Sequence, residues 1–134
     1  MARRHDARRL AALILYQADV SRRSPAEVLE ERRTVGERIP RFTVELVTGV
    51  EANLAELDRV IGEASEAWPV ERMAAVDRSL LRLASHEILD REDVPVAVAI
   101  DEAVAAANEL STEESGAFVN GILGRIARER TSAG

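Results

Sequence analysis

The sequence predicts an all-α protein of six or seven helices. Apolar residues recur at spacings of three and four along nearly the whole chain, and no stretch alternates with period two between hairpin turns. Helix-opening Ser-Pro and Asp-Val-Pro steps divide the periodic segments.

From Ala7 to about Val20 the residues are apolar almost all round, with Leu10, Leu13, Ile14 and Leu15 in close succession. That pattern places the first helix at the centre of a bundle. In Ser24-Pro25-Ala26-Glu27 the serine can cap a helix, the proline suits its first position and the glutamate can reach back to the cap's N–H, so a short second helix starts there. After Gly36 and Pro40, the residues Leu46, Val47, Val50, Leu54, Leu57 and Ile61 trace one long amphipathic helix. Gly49 inside it costs about 1 kcal/mol relative to alanine, which implies close approach of another helix. Trp68-Pro69 breaks the pattern.

Met73, Val76, Leu80, Leu83, Ala84 and Ile88 define the next helical face, with Asp77 capping it or pairing outward. Glu87 falls in the middle of that face, where a carboxylate must find a backbone or arginine partner or stay protonated. Asp93-Val94-Pro95 opens a helix carrying Val96, Ile100, Ala103, Ala107 and Leu110, whose alanines suit tight interhelical packing. Ser111-Thr112-Glu113-Glu114 supplies a loop and a second capping box, and Phe118, Val119, Ile122, Leu123 and Ile126 mark a terminal helix.

Composition bounds the function. The 134 residues suit one domain spanning 1–134. Without cysteine, disulfides and thiolate chemistry are excluded. The longest apolar run, Leu10 to Tyr16, is too short to cross a bilayer, and no small-residue cleavage site follows the basic start, so a cytoplasmic location without membrane attachment is expected. All eighteen basic residues are arginine, and they are unevenly placed. Through Arg41 ten arginines face six acids, whereas residues 42–134 hold eight arginines against eighteen acids, so a basic end sits on an acidic body. Such polarity suits a localised anion-binding surface.

Catalytic and metal-binding constellations are missing. His5 and His86 are the only histidines, and with no cysteine they make no structural metal site. His86 and Asp90 lie four apart, but two ligands are not a site. Gly121-Ile122-Leu123-Gly124 has the spacing of a KH-domain loop yet lies in a helical pattern without strands. No phosphate-loop or dinucleotide fingerprint occurs, so neither an enzyme nor a bound cofactor is expected. What remains is Arg3, Arg4, His5, Arg8 and Arg9 at the start of the first helix. The planar guanidinium bridges phosphates and stacks on bases, which suits single-stranded RNA. Four arginines at a helix N-terminus also oppose the helix dipole, a placement that a purely structural design would avoid. Tyr16, two turns along, is either a core residue or a platform for a base.

The stretch from Met73 to Ala127, with MAAVDRSLLRLASHEIL and DVPVAVAIDEAVAAANELSTEESGAFVNGILGRIA, resembles the NusB family of bacterial transcription antitermination factors. RRHDARRLAALILYQADV is similar to that family's arginine-rich opening helix. The resemblance implies two packed helical bundles and a non-enzymatic factor that binds boxA RNA of ribosomal RNA operons together with the ribosomal protein NusE. It would act in an antitermination complex with RNA polymerase. It implies RNA contacts at Arg4, Arg8 and Arg9, with Tyr16 nearby, and at Glu114, Ser115, Phe118 and Asn120. A protein-partner surface is implied around Met73 and Asp77. The chain departs from the family pattern at His86, where an aromatic residue is common, and at Leu110-Ser111, where a Phe-Gly step is common. Two alternatives stay open: a helical protein-interaction module or homodimer, and an accessory domain acting in trans for rRNA methylation.

Overall fold

The computed structural model describes residues 3–66 and 68–133, with side chains through residue 130. Among them the chain forms seven α-helices: α1 (Arg4–Ser21), α2 (Pro25–Thr34), α3 (Arg41–Ala52), α4 (Leu54–Ala64), α5 (Ala75–Asp90), α6 (Val96–Leu110) and α7 (Glu113–Ala133). A single 3₁₀ turn, Val70–Arg72, precedes α5, and no strand occurs among the described residues. The helices form two bundles. The first comprises α1, α2 and α3, the second comprises α4 to α7, and α5 also packs against α1 and α3.

Local chemistry accounts for most boundaries. The α2 capping box forms as the spacing predicts, Glu27 N–H donating to Ser24 Oγ at 3.1 Å and Ser24 N–H to Glu27 Oε1 at 3.0 Å. The bond from the Ser24 N–H, followed by the Ser24 hydroxyl, holds the Glu27 carboxyl below its ordinary range. At α7 the cap differs from the expected Ser111–Glu114 box. Thr112 Oγ1 accepts the Ser115 N–H at 3.1 Å, so the cap falls one residue later. Nor does Asp77 cap α5. That helix opens after Ala74, and Asp77 lies within its first turn.

The expected long helix over Leu46–Ile61 is two helices. Asn53 leaves helical geometry at φ −115°, and its Nδ2 donates to the Gly49 carbonyl at 2.9 Å, competing with the backbone ladder. The apolar period survives the break: Leu46, Val47, Val50, Leu57 and Ile61 are all buried.

One apolar cluster runs through both bundles. Helix α5 is its axis, with ten of its sixteen residues buried, including the polar Asp77, Ser79, Ser85, His86 and Glu87. Gly49 allows α3 to approach it. A Cβ built there would lie 2.2 Å from His86 Nε2, so the expected close approach is with the His86 ring of α5. His86 Nδ1 lies 3.0 Å from Asp90 Oδ2, and no metal-holding cluster is found among the described residues.

Candidate nucleic-acid interface

The start of α1 carries the basic cluster, and each of its described cationic side chains from Arg4 to Arg9 meets a carboxylate of the second bundle. Arg4 donates to Asp93 Oδ2 at 2.6 Å. His5 Nδ1 lies 2.8 Å from Glu102 Oε2, and Arg9 donates to Glu109 Oε2 at 2.9 Å. Arg8 turns inward, its Nε shared by the two Glu87 oxygens at 2.9 and 2.8 Å while Nη1 donates to Glu102 at 3.1 Å. These partners offset the unfavourable arginine placement at a helix N-terminus.

Arg8 and Glu87 therefore answer each other. Glu87 is the carboxylate that the sequence marks as needing a partner, and Arg8 supplies it from the other bundle. Their side chains are 7% and 1% exposed, so Arg8 is not presented to a phosphate as the resemblance implies. Burial pushes the Glu87 carboxyl up, and the bonds from Arg8 pull it back. The pair is a structural clamp between α1 and α5.

The remaining members face outward. Arg3, Arg4 and His5 are exposed, and Arg9 is half-buried. The guanidinium groups of Arg4, Arg8 and Arg91 lie 4.3, 5.3 and 5.1 Å from the centroid of Phe42, at the start of α3. Cation–π attraction thus gathers three arginines around one ring. Arg91 and Arg4 together hold the Asp93 carboxyl far below the ordinary range, Arg91 contributing most. Phe42 and Arg91 were invisible as members of this cluster in the sequence because they are distant from it along the chain.

From His5 and Arg9 a groove follows α1 past Leu13 to Tyr16, walled by Val76 of α5 and Leu110 of α6. Tyr16 is outside the core at 36% exposure, and Leu13, Val20 and Leu110 are exposed apolar residues as well. The fold therefore brings His5, Arg9 and Tyr16 to one surface. Ser115 Oγ lies 3.4 Å from Asp77 Oδ2 and 3.0 Å from Ser111 Oγ, tying the start of α7 to α5. Gly116 makes the tight α6–α7 approach possible, since a Cβ there would lie 1.9 Å from Asn108 Oδ1. Glu114 and Asn120 are exposed, whereas Phe118 is half-buried against the core.

The two residues expected at a protein-partner surface are mostly covered. Met73 is 5% and Asp77 7% exposed, because both pack at the base of the α5 N-terminus. Burial raises the Asp77 carboxyl, Ser115 lowers it less, and Asp77 Oδ1 has no hydrogen-bond partner among the described residues.

Residues 5–128 match the model of the NusB family. The chain belongs to the NusB family. It is 47% identical over 139 residues to the transcription antitermination protein NusB of Beutenbergia cavernae, covering 96% of this chain and 91% of that protein. It is 44% identical over 130 residues to the protein of the same name from Thermobifida fusca, covering 96% and 92%. Both relatives are named for a role in transcription antitermination. The fold matches T. maritima NusB with a TM-score of 0.84 at 36% identity, covering 96% of this chain and 92% of that one. A crystal structure of antitermination factors NusB and NusE in complex with dsRNA matches with a TM-score of 0.83 at 25% identity, over 94% and 96%. The NusB fold thus accounts for both bundles. No helix among the described residues is long and apolar enough to cross a membrane.

Proposed function

We propose that the protein is a cytoplasmic antitermination factor that binds boxA RNA of ribosomal RNA operons together with the ribosomal protein NusE, within a complex containing RNA polymerase. One observation carries the reading: His5 and Arg9 at the start of α1 share a groove with Tyr16 and Leu110, in a chain with NusB relatives. A neighbour solved with NusE and dsRNA supports both partner classes.

The mechanism is positioning. Arg3, Arg4, His5 and Arg9 anchor phosphates, and Tyr16 with Ser115, Phe118 and Asn120 adds further contacts. NusE docks around Met73 and Asp77 at the start of α5, and the net charge of −6 favours a basic protein. By linkage, RNA and NusE strengthen each other's binding by the same factor. A homodimer over the same face is a second reading, favoured by the exposed Leu13, Tyr16, Val20 and Leu110. Light scattering separates the two: RNA that converts a dimer into a monomer places the dimer contact on the RNA face.

The direct test is binding of a labelled boxA-type RNA across a salt series, with and without NusE, using Arg4→Ala/Arg9→Ala and a scrambled RNA as comparisons. Each single-strand phosphate contact contributes a slope of about −0.7, so the double variant should lose about 1.4 of slope magnitude as well as affinity. No binding even with NusE would overturn the reading.

A further inference from the structure

We propose that Asp93 and Glu109 are competing ligands for the RNA-binding arginines, so that RNA binds by exchanging phosphates for these two carboxylates. The inference rests on the RNA-binding reading above and goes beyond it, because it assigns acidic residues outside the expected RNA contacts a role in setting affinity.

The geometry separates two kinds of ion pair at one helix end. Arg8 is sealed against Glu87 and Glu102, and nothing can reach it without opening the seam. Arg4–Asp93 and Arg9–Glu109 are open to solvent on at least one side: Arg4 and Asp93 are about half exposed, and Glu109 is 66% exposed while Arg9 is 22%. A carboxylate and a phosphate oxygen seek the same N–H donors of the guanidinium fork. In the free protein those donors are already turned toward carboxylates, at 2.6 and 2.9 Å. A phosphate arriving at Arg4 or Arg9 must displace the carboxylate or settle beside it, and either course weakens binding.

The two carboxylates differ in what happens after exchange. Asp93 keeps a partner, because Arg91 donates to both of its oxygens at 3.0 and 2.9 Å. Glu109 sits at the end of α6 and swings into solvent. Neither displacement strands a buried charge, which is what makes exchange feasible here and not at Arg8. The basic surface is thereby held in a self-neutralised form until a polyanion able to engage both arginines together replaces both carboxylates.

The test measures binding of a labelled boxA-type RNA by the full-length protein, with NusE present if the protein alone binds weakly. Asp93→Asn/Glu109→Gln should bind about three- to tenfold more tightly than the unsubstituted protein, consistent with two exposed pairs each contributing weakly. Its salt slope should be unchanged, because the same phosphates are engaged. Glu92→Gln removes one charge at an exposed neighbour with no ion pair among the described residues, and should change affinity less than twofold. Placed in the Arg4→Ala/Arg9→Ala background, the two carboxylate substitutions should lose their effect. Unchanged or weaker binding by the Asp93/Glu109 variant, with an unchanged melting temperature, overturns the exchange while leaving the RNA reading intact. An equal gain from Glu92→Gln reduces the effect to net charge and also overturns it. Unaltered binding by Arg4→Ala/Arg9→Ala overturns Arg4 and Arg9 as RNA contacts, and the exchange with them, and absence of binding even with NusE overturns the RNA reading itself.

Discussion

Arginines within the first two turns of α1 are treated in opposite ways. Arg8 is buried against Glu87, with a half-covered Glu102 behind it. Arg4, one turn before Arg8 and over the same Phe42 ring, and Arg9, the next residue, hold carboxylates that water also reaches. An arginine's role at such a helix end follows from how deeply its ion pair is buried. Burial turns an ion pair into a fastening, because separating it leaves a charge without solvent, whereas exposure leaves it exchangeable.

Breaking the buried pair should have the largest effect. Arg8→Ala strands Glu87 and should destabilise the protein by about 3–5 kcal/mol in denaturant unfolding. Because burial already raises the Glu87 carboxyl, the remaining glutamate takes up a proton on folding, and the loss should shrink as pH falls toward the acid range. Adding Glu87→Gln should recover part of it at neutral pH. Full stability of Arg8→Ala at pH 7 would refute the clamp.

Gly49→Ala tests the same seam from α3. Its Cβ meets the His86 ring, so a loss of about 1–3 kcal/mol is expected, and His86→Ala in the same chain should cancel part of the clash. Independent additivity of the two substitutions would show that they do not share one contact.

Asp77 sits between the two cases, buried like Glu87 but without an arginine. Its folded carboxyl is raised, so its ionised form lowers stability once pH exceeds that folded value, and the penalty disappears as pH falls below the ordinary carboxylate range. Asp77→Asn should therefore gain about 1 kcal/mol at pH 7 and nothing near pH 3, provided that Ser115 keeps its contact. A loss at pH 7 would mean that the charge is needed by the fold.

The smallest effect belongs to the outer surface. Glu114 is an exposed acid at the start of α7, on the expected RNA side, and Glu114→Gln should tighten RNA binding by a few-fold through reduced repulsion. Weaker binding would make Glu114 a direct contact rather than a repulsive neighbour.

Much of the fold was legible because the helices bury periodic faces. The Ser24–Glu27 box, the terminal apolar stripe and the need for a neighbour at Gly49 all follow from short-range rules, and all are present. The break at Asn53 was not legible, since an amide that bonds back to Gly49 leaves the apolar spacing intact. The site was legible in part. Arginine clustering marked α1, but whether Arg8 or Arg9 faces inward depends on how α1 rotates against α5, which the first nine residues do not contain. The need for a partner was visible at Glu87 and the supply at Arg8, yet nothing in either segment matched them. Phe42 and Arg91 joined the cluster only through tertiary packing, and Met73 and Asp77 lost their exposure the same way.

Helix α5 belongs to both bundles at once, and this constrains how the molecule can come apart. If α1–α3 detached alone, Glu87, His86 and the apolar face that they share would be left uncovered. Detaching the second bundle would leave α1 and α3 without their common wall. Partial opening is therefore confined to the outer turns, such as the ends of α2 and α7. Amide protons along the middle of α5 should exchange with solvent only when the whole chain unfolds, so their protection reports the global free energy while the RNA-facing turns exchange faster. The helix that joins the bundles also makes them a single cooperative unit.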